Sequence, residues 1–161
     1  MYIKSIILAL SLFSTAAYGF DTFNHESNRM THLLSCDNPK YIPSSKYANK
    51  LYSCIGGKSD SVKIFINADS DQKSIKNIKF MWNEYTTTKI PGINMQDGKN
   101  IAHDWLIKIS DHYFPTHKNK ILKKFFSEKN NFEFTDGRYL IKYTFFEGPS
   151  INERLLIISS Y

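Results

Sequence analysis

The chain has 161 residues, with 21 Lys and Arg against 15 Asp and Glu, a net charge of +6, and 12 Phe, 10 Tyr and 2 Trp. That length suits one domain with a substantial core, and aromatic side chains of large buried area exclude a disordered composition. The positive balance favours acidic partners (anionic lipid heads, polyanions or an acidic protein surface), and no RNA- or DNA-binding motif accompanies it.

The N-terminus reads as a secretory signal peptide: Lys4 supplies a positive start, Ile6 to Leu12 an apolar run, and Ala17-Tyr18-Gly19 small residues at the −3 and −1 positions. The apolar run is short for a bilayer span, which needs about 20 residues. Cleavage is expected after Gly19, with no cysteine following it to suggest a lipoprotein. The mature chain, residues 20–161, is then a single domain carrying +5, exported to the periplasm or beyond. Cys36 and Cys54 are the only cysteines, and an exported chain with one pair is expected to join them. The bond would contribute roughly 3 kcal/mol. No C-x-x-C spacing lowers a thiol pKa, and two cysteines do not make a structural zinc site.

Phe20 to Asn24 reads as a frayed start. A short helix is predicted over Glu26–Ser35, stopped by Asp37-Asn38-Pro39. A second is predicted from Ser44 or Ser45 to about Cys54, with Tyr47, Leu51, Cys54 and Ile55 on one face and Gly56-Gly57 at its end. The disulfide would then join two helices. Ser61–Asn67 and Ile75–Thr87 alternate with period two and read as strands. Ile90 to Gly98 reads as a loop. Helices follow over about Lys99–Phe114 and His117–Glu128, separated by Pro115. The second buries Ile121, Leu122, Phe125 and Phe126 and turns lysines outward. Phe132–Phe134, a turn at Asp136-Gly137, Arg138–Phe146, a turn at Gly148-Pro149-Ser150 and Leu155–Ser159 complete the chain as strands. Leu155–Ser159 is apolar on both faces, as a central strand would be.

The expected fold is α+β, in the order ααββααββ, with helices covering one face of an antiparallel sheet. An echo between Ile78-Lys79-Phe80-Met81-Trp82-Asn83-Glu84 and Ile141-Lys142-Tyr143-Thr144-Phe145-Phe146-Glu147 raises an internal duplication, although similar amphipathic strands explain it more simply.

Catalytic motifs are missing. His103 and His112 stand nine apart, on nearly opposite sides of one helix, and His25 and His32 are two turns apart. There is no H-E-x-x-H, no G-x-S-x-G and no phosphate loop. Glu84, Glu147 and Glu153 near strand ends are the nearest approach to a carboxylate pair. The candidate partner surface is instead basic: Lys118, Lys120, Lys123, Lys124 and Lys129 on one helix, which a solvated face would also explain, and Arg154, an interface anchor or a structural charge paired with Glu147.

Phe80-Met81-Trp82-Asn83, Phe125-Phe126, Tyr143-Thr144-Phe145 and Gly148-Pro149-Ser150-Ile151-Asn152-Glu153-Arg154-Leu155 together resemble a pattern in small exported bacterial proteins of unassigned function. The resemblance covers about Phe80 to Ile158 and leaves out both cysteines. It implies a bacterial envelope protein and transfers no activity. The leading expectation is an exported, non-enzymatic interaction protein with an acidic protein partner, such as an inhibitor or immunity protein against an envelope-acting enzyme or toxin. A small envelope hydrolase or a module binding anionic membrane or polyanion is the alternative.

Overall fold

The structure, a computed structural model, describes residues 19–57, 60–86 and 95–161; the expected signal peptide, apart from Gly19, and most of the expected loop from Ile90 to Gly98 lie outside them. Among the described residues three helices and one seven-stranded antiparallel sheet form an α+β fold. The chain runs α1 (Phe23–Leu33), β1 (Lys40–Ile42), β2 (Leu51–Gly56), β3 (Val62–Ala68), β4 (Ile75–Tyr85), α2 (Met95–Tyr113), a 3-10 turn (Pro115–His117), α3 (Lys118–Ser127), β5 (Phe132–Asp136), β6 (Tyr139–Glu147) and β7 (Ile151–Ser160). The sheet order is β1-β2-β3-β4-β7-β6-β5.

The order α, four strands, two helices, three strands replaces the expected ααββααββ. The difference lies in residues 44–54. Leu51, Cys54 and Ile55 sit at helical spacing, but Tyr52 and Cys54 also alternate, and they pair with Ile66 and Ile64 of β3. Pairing with β3 along the whole of β2, and with β1 over Leu51–Ser53, decides the matter, which spacing alone does not. The expected fray at Phe20 to Asn24 also gives way: Thr22 caps α1 through the His25 amide, and Phe23 is buried in the core. At the other end of α1, Ser35 takes φ 50°, with its amide on the His32 carbonyl and the Cys36 amide on that of Thr31. This is a Schellman ending with serine in the position glycine usually fills.

One alternating set of side chains forms the core. Tyr52 and Cys54 on β2, Ile64 and Ile66 on β3, Ile78, Phe80 and Trp82 on β4, Leu156 and Ile158 on β7, and Ile141 and Tyr143 on β6 are all buried. Helical side chains meet this row: Thr31 of α1 bonds the Tyr52 hydroxyl, and Phe125 and Phe126 of α3 pack on Phe80 and Trp82. Gly56 lies beneath Trp105 of α2, where a Cβ would stand 2.8 Å from the indole. The opposite set includes Phe65, Met81, Leu155 and Ile157 and is only half-buried.

β7 is central, as its apolar faces suggest, between β4 and β6. It also accounts for the internal echo. Ile78 and Ile141 face Ile158 from either side, Phe80 and Tyr143 face Leu156, Trp82 and Phe145 face Arg154, and Glu84 and Glu147 face Asn152. Two strands that meet one strand in the same register face the same neighbours, and similar sequences follow without a repeated unit.

Candidate functional site

The lysines of α3 are mostly engaged within the molecule. Lys118 bonds both carboxylate oxygens of Asp111 at 2.8 and 2.7 Å, and Lys129, two residues past the end of the helix, reaches Glu147 at 2.7 Å. Lys120 and Lys124 stand 5.9 and 5.2 Å over the rings of Phe134 and Phe132. Lys123 is exposed and forms no ion pair with a described residue. Surface pairs of this kind contribute little stability, but they reduce the field α3 presents to a partner.

Arg154 is 5% exposed. Its Nε and Nη2 each lie 3.0 Å from Glu84 Oε2, so Glu84, not Glu147, is its carboxylate partner. Nη1 donates to the carbonyls of Phe125 (2.8 Å) and Glu128 (2.9 Å) and to the Tyr143 hydroxyl (3.0 Å). The guanidinium lies between the rings of Phe145 and Trp82, 4.9 and 5.7 Å from their centroids. A cation is favourable against carbonyls left open at a helix C-terminus. Arg154 therefore ties α3 to the sheet from inside and has no free edge for a partner. Burial holds the Tyr143 phenol above its usual range, with Arg154 opposing.

The three glutamates do not converge. Glu84 and Glu147 flank Asn152 on one row, two strands or about 10 Å apart along the sheet. Each is held in an ion pair, with Arg154 and Lys129 respectively. Glu153 alternates to the opposite face.

A titratable cluster that spacing did not disclose sits where α1 meets the end of α2. Glu26 is completely buried. It accepts from Arg29 Nη1 (2.8 and 3.0 Å to its two oxygens) and from the Tyr113 hydroxyl, 87 residues away. Arg29 also lies 3.1 Å from His112 Nε2 and 3.2 Å from His25 Nδ1, and His25 pairs with Asp21. Burial, then the Glu26 charge, pushes the Tyr113 phenol far above its ordinary range. Burial, then Arg29, lowers His112, with Glu26 opposing. The cluster borders a cavity of about 660 Å³ lined also by Asp136, Arg138 and Tyr139. Glu26, Arg29 and Tyr113 satisfy one another, so their arrangement holds the two helices together. Its one sequence signal is the Glu26–Arg29 pair at helical i,i+3 spacing.

The half-buried row of the sheet has a different character. Across the strands Ser53, Phe65, Lys79, Ile157 and Lys142 stand in register, and beside them Ile55, Lys63, Met81, Leu155 and Thr144. Apolar and lysine side chains interleave. Among the described residues none of Lys63, Lys79 and Lys142 forms an ion pair, although Glu133 of β5 stands opposite Lys142 in register. Nearby, Phe146 is 69% exposed and Ile55 37%. The alternation was visible in the sequence. The gathering of three unpaired lysines from three strands depends on the strand order.

The disulfide joins Cys36, just after α1, to Cys54 of β2, with Cα atoms 6.1 Å apart; it links a helix end to a strand and not helix to helix. No helix among the described residues is long and apolar enough to cross a membrane. In comparisons with known proteins, no family model, curated protein or solved structure matches this chain.

Proposed function

We propose that this chain is an exported, non-enzymatic interaction protein of the inhibitor or immunity type, which holds an acidic protein partner in the bacterial envelope. In this reading the helices occupy one face of the sheet, and the other face is the binding surface. The observation that carries it is the half-buried row, where Lys63, Lys79 and Lys142 form no ion pair with a described residue and lie between Phe65, Met81, Leu155 and Ile157. Apolar side chains supply contact area, and the interspersed lysines select an acidic surface and speed encounter. The α3 lysines are a weaker candidate because three of the four are engaged by Asp111, Phe132 or Phe134, and Lys129 just beyond the helix is held by Glu147. The disulfide is compatible with an oxidising compartment.

The test is retention of a partner from envelope extract by the immobilised disulfide-bonded protein at low and moderate salt. One protein kept in stoichiometric amount is expected, and it should be lost from a Lys63→Glu/Lys142→Glu variant and kept by Lys120→Glu/Lys123→Glu. Loss only from the second variant would move the site to α3. Equal retention by both would remove the charged surfaces from the account.

A further inference from the structure

At the β1 corner of the sheet the chain presents a surface unlike the rest. Every residue from Lys40 to Asn49 is exposed, and the stretch KYIPSSKYAN contains no acid. Ile42 is 50% exposed and Tyr47 88%. This is not a loose loop. The Ser45 amide donates to the Ala48 carbonyl at 2.8 Å and the Tyr47 amide to Ser45 Oγ at 3.3 Å. Its base is bound to the β3–β4 turn: Gln72 Oε1 accepts from the Lys50 amide at 2.8 Å, Gln72 Nε2 donates to Asn49 Oδ1 at 2.7 Å, and Asn49 Nδ2 donates to the Ala68 carbonyl at 3.3 Å.

Beside that base lies a cavity of about 290 Å³ whose lining includes Lys50, Lys76, Lys79, Asn49, Asn67 and Asn77, and no acid. The Lys50 ammonium is held 5.0 Å over the ring of Phe23, which leaves Lys76 and Lys79 as the charges without a described partner. The nearest turn carries Asp69 and Asp71, but neither lines the cavity. Asp69 accepts from the Ser70 amide, and Asp71 from the amides of Lys73 and Ser74 and the Ser74 hydroxyl.

We propose that the β1–β2 loop and this cavity form a docking surface for an anionic phospholipid membrane, with a headgroup phosphate in the cavity and Ile42 and Tyr47 in the interface. The chemistry selects that occupant. Lysine and amide groups without a competing carboxylate suit a phosphate monoanion. An exposed aromatic and an exposed aliphatic on one stretch suit the boundary between headgroup and acyl chain. Lys40 and Lys46 on the same stretch add attraction to a negative leaflet. A soluble phosphate would use the cavity and leave Ile42 and Tyr47 without a role.

Vesicle sedimentation of the disulfide-bonded protein tests this with phosphatidylcholine alone and with added phosphatidylglycerol. Binding is expected only with phosphatidylglycerol, weakening as salt rises. A juxtamembrane lysine contributes about fivefold, so Lys46→Gln/Lys76→Gln should weaken binding about 25-fold. Ile42→Ser/Tyr47→Ser should remove the part of binding that survives salt. All four positions are exposed, and an unchanged circular dichroism spectrum shows that the variants fold. Equal binding by Lys46→Gln/Lys76→Gln overturns the proposal. So does pyrophosphate binding measured by calorimetry in a protein that ignores both vesicles, which would mark a soluble phosphate ligand. Lys63→Glu/Lys142→Glu is the control, because it leaves in place Lys79, which belongs to both the row and the cavity: loss of the protein partner with vesicle binding retained keeps the two readings, and their failures, apart.

Discussion

The guanidinium of Arg154 completes the C-terminal end of α3 and neutralises Glu84, so removing it strands groups on two elements at once. Breaking a buried pair by deleting one partner costs about 3–5 kcal/mol. Arg154→Met should fall near the lower figure, because Glu84 is one-third exposed and regains water. Arg154→Lys keeps the charge without the planar fork and should fall between. Urea unfolding reads both as a lower midpoint with an unchanged slope. His112 gives a pH prediction. Its folded pKa is depressed, so the unfolded chain binds the proton more readily, and stability falls as pH drops below about 6.5, the ordinary histidine value. Asp21 and Asp71 are also depressed, but they act in a separate window, below about 3.8. Stability measured between pH 7 and pH 5 should therefore decline less in His112→Gln than in the parent. An identical decline would assign that acid sensitivity to other groups.

Among the elements, β2 depends on long-range support: β3 on one side, β1 on the other, and the disulfide to the end of α1. Reduction should lower stability by about 3 kcal/mol, the loop-entropy value for 18 residues of separation. Unfolding with and without reductant measures it. Phe125 is the corresponding anchor of α3, fully buried against Phe80, Phe126 and Tyr143. Phe125→Ala should cost about 3–5 kcal/mol, read from the same urea midpoints. These two elements mark what the sequence could disclose. The buried side of α3 was legible because Ile121 and Phe125 sit one helical turn apart, and β3, β4 and β6 were legible because one face of each is buried. The turn expected at Asp136-Gly137 is displaced by one residue: Asp136 still pairs with Tyr139, and Gly137-Arg138 make the turn, with Gly137 at φ 59°. β2 was misread because its evidence is its pairing with β3, which no local period reports. For the same reason the basic face of α3 was visible but its engagement was not: Asp111, Phe132 and Phe134 come from other elements. Glu26 and Tyr113 meet only because α1 and the end of α2 are brought together.

For the whole molecule the issue is what opposes self-association of a sheet with an apolar, half-buried row. The β1 edge is only three residues long and is bracketed by Pro39 and Pro43, which cannot donate to an incoming strand. The row itself has no such device except charge. Lys63, Lys79 and Lys142 stand among Phe65, Met81, Leu155 and Ile157, and two copies brought face to face would oppose lysine to lysine. Their aliphatic stems still cover apolar surface while their ammonium groups stay in water. Replacing all three by methionine keeps the stems and removes the repulsion, leaving an apolar face suited to packing on another sheet at about 10 Å. The Lys63→Met/Lys79→Met/Lys142→Met variant should therefore self-associate with rising concentration in sedimentation velocity, whereas Lys63→Glu/Lys142→Glu should sediment as the parent does. The contrast separates the two contributions to the proposed partner binding, because the methionine variant retains contact area without charge and the glutamate variant reverses charge. A methionine variant that sediments as the parent does would mean that the row is protected by something other than its lysines, and the binding surface would have to be sought elsewhere.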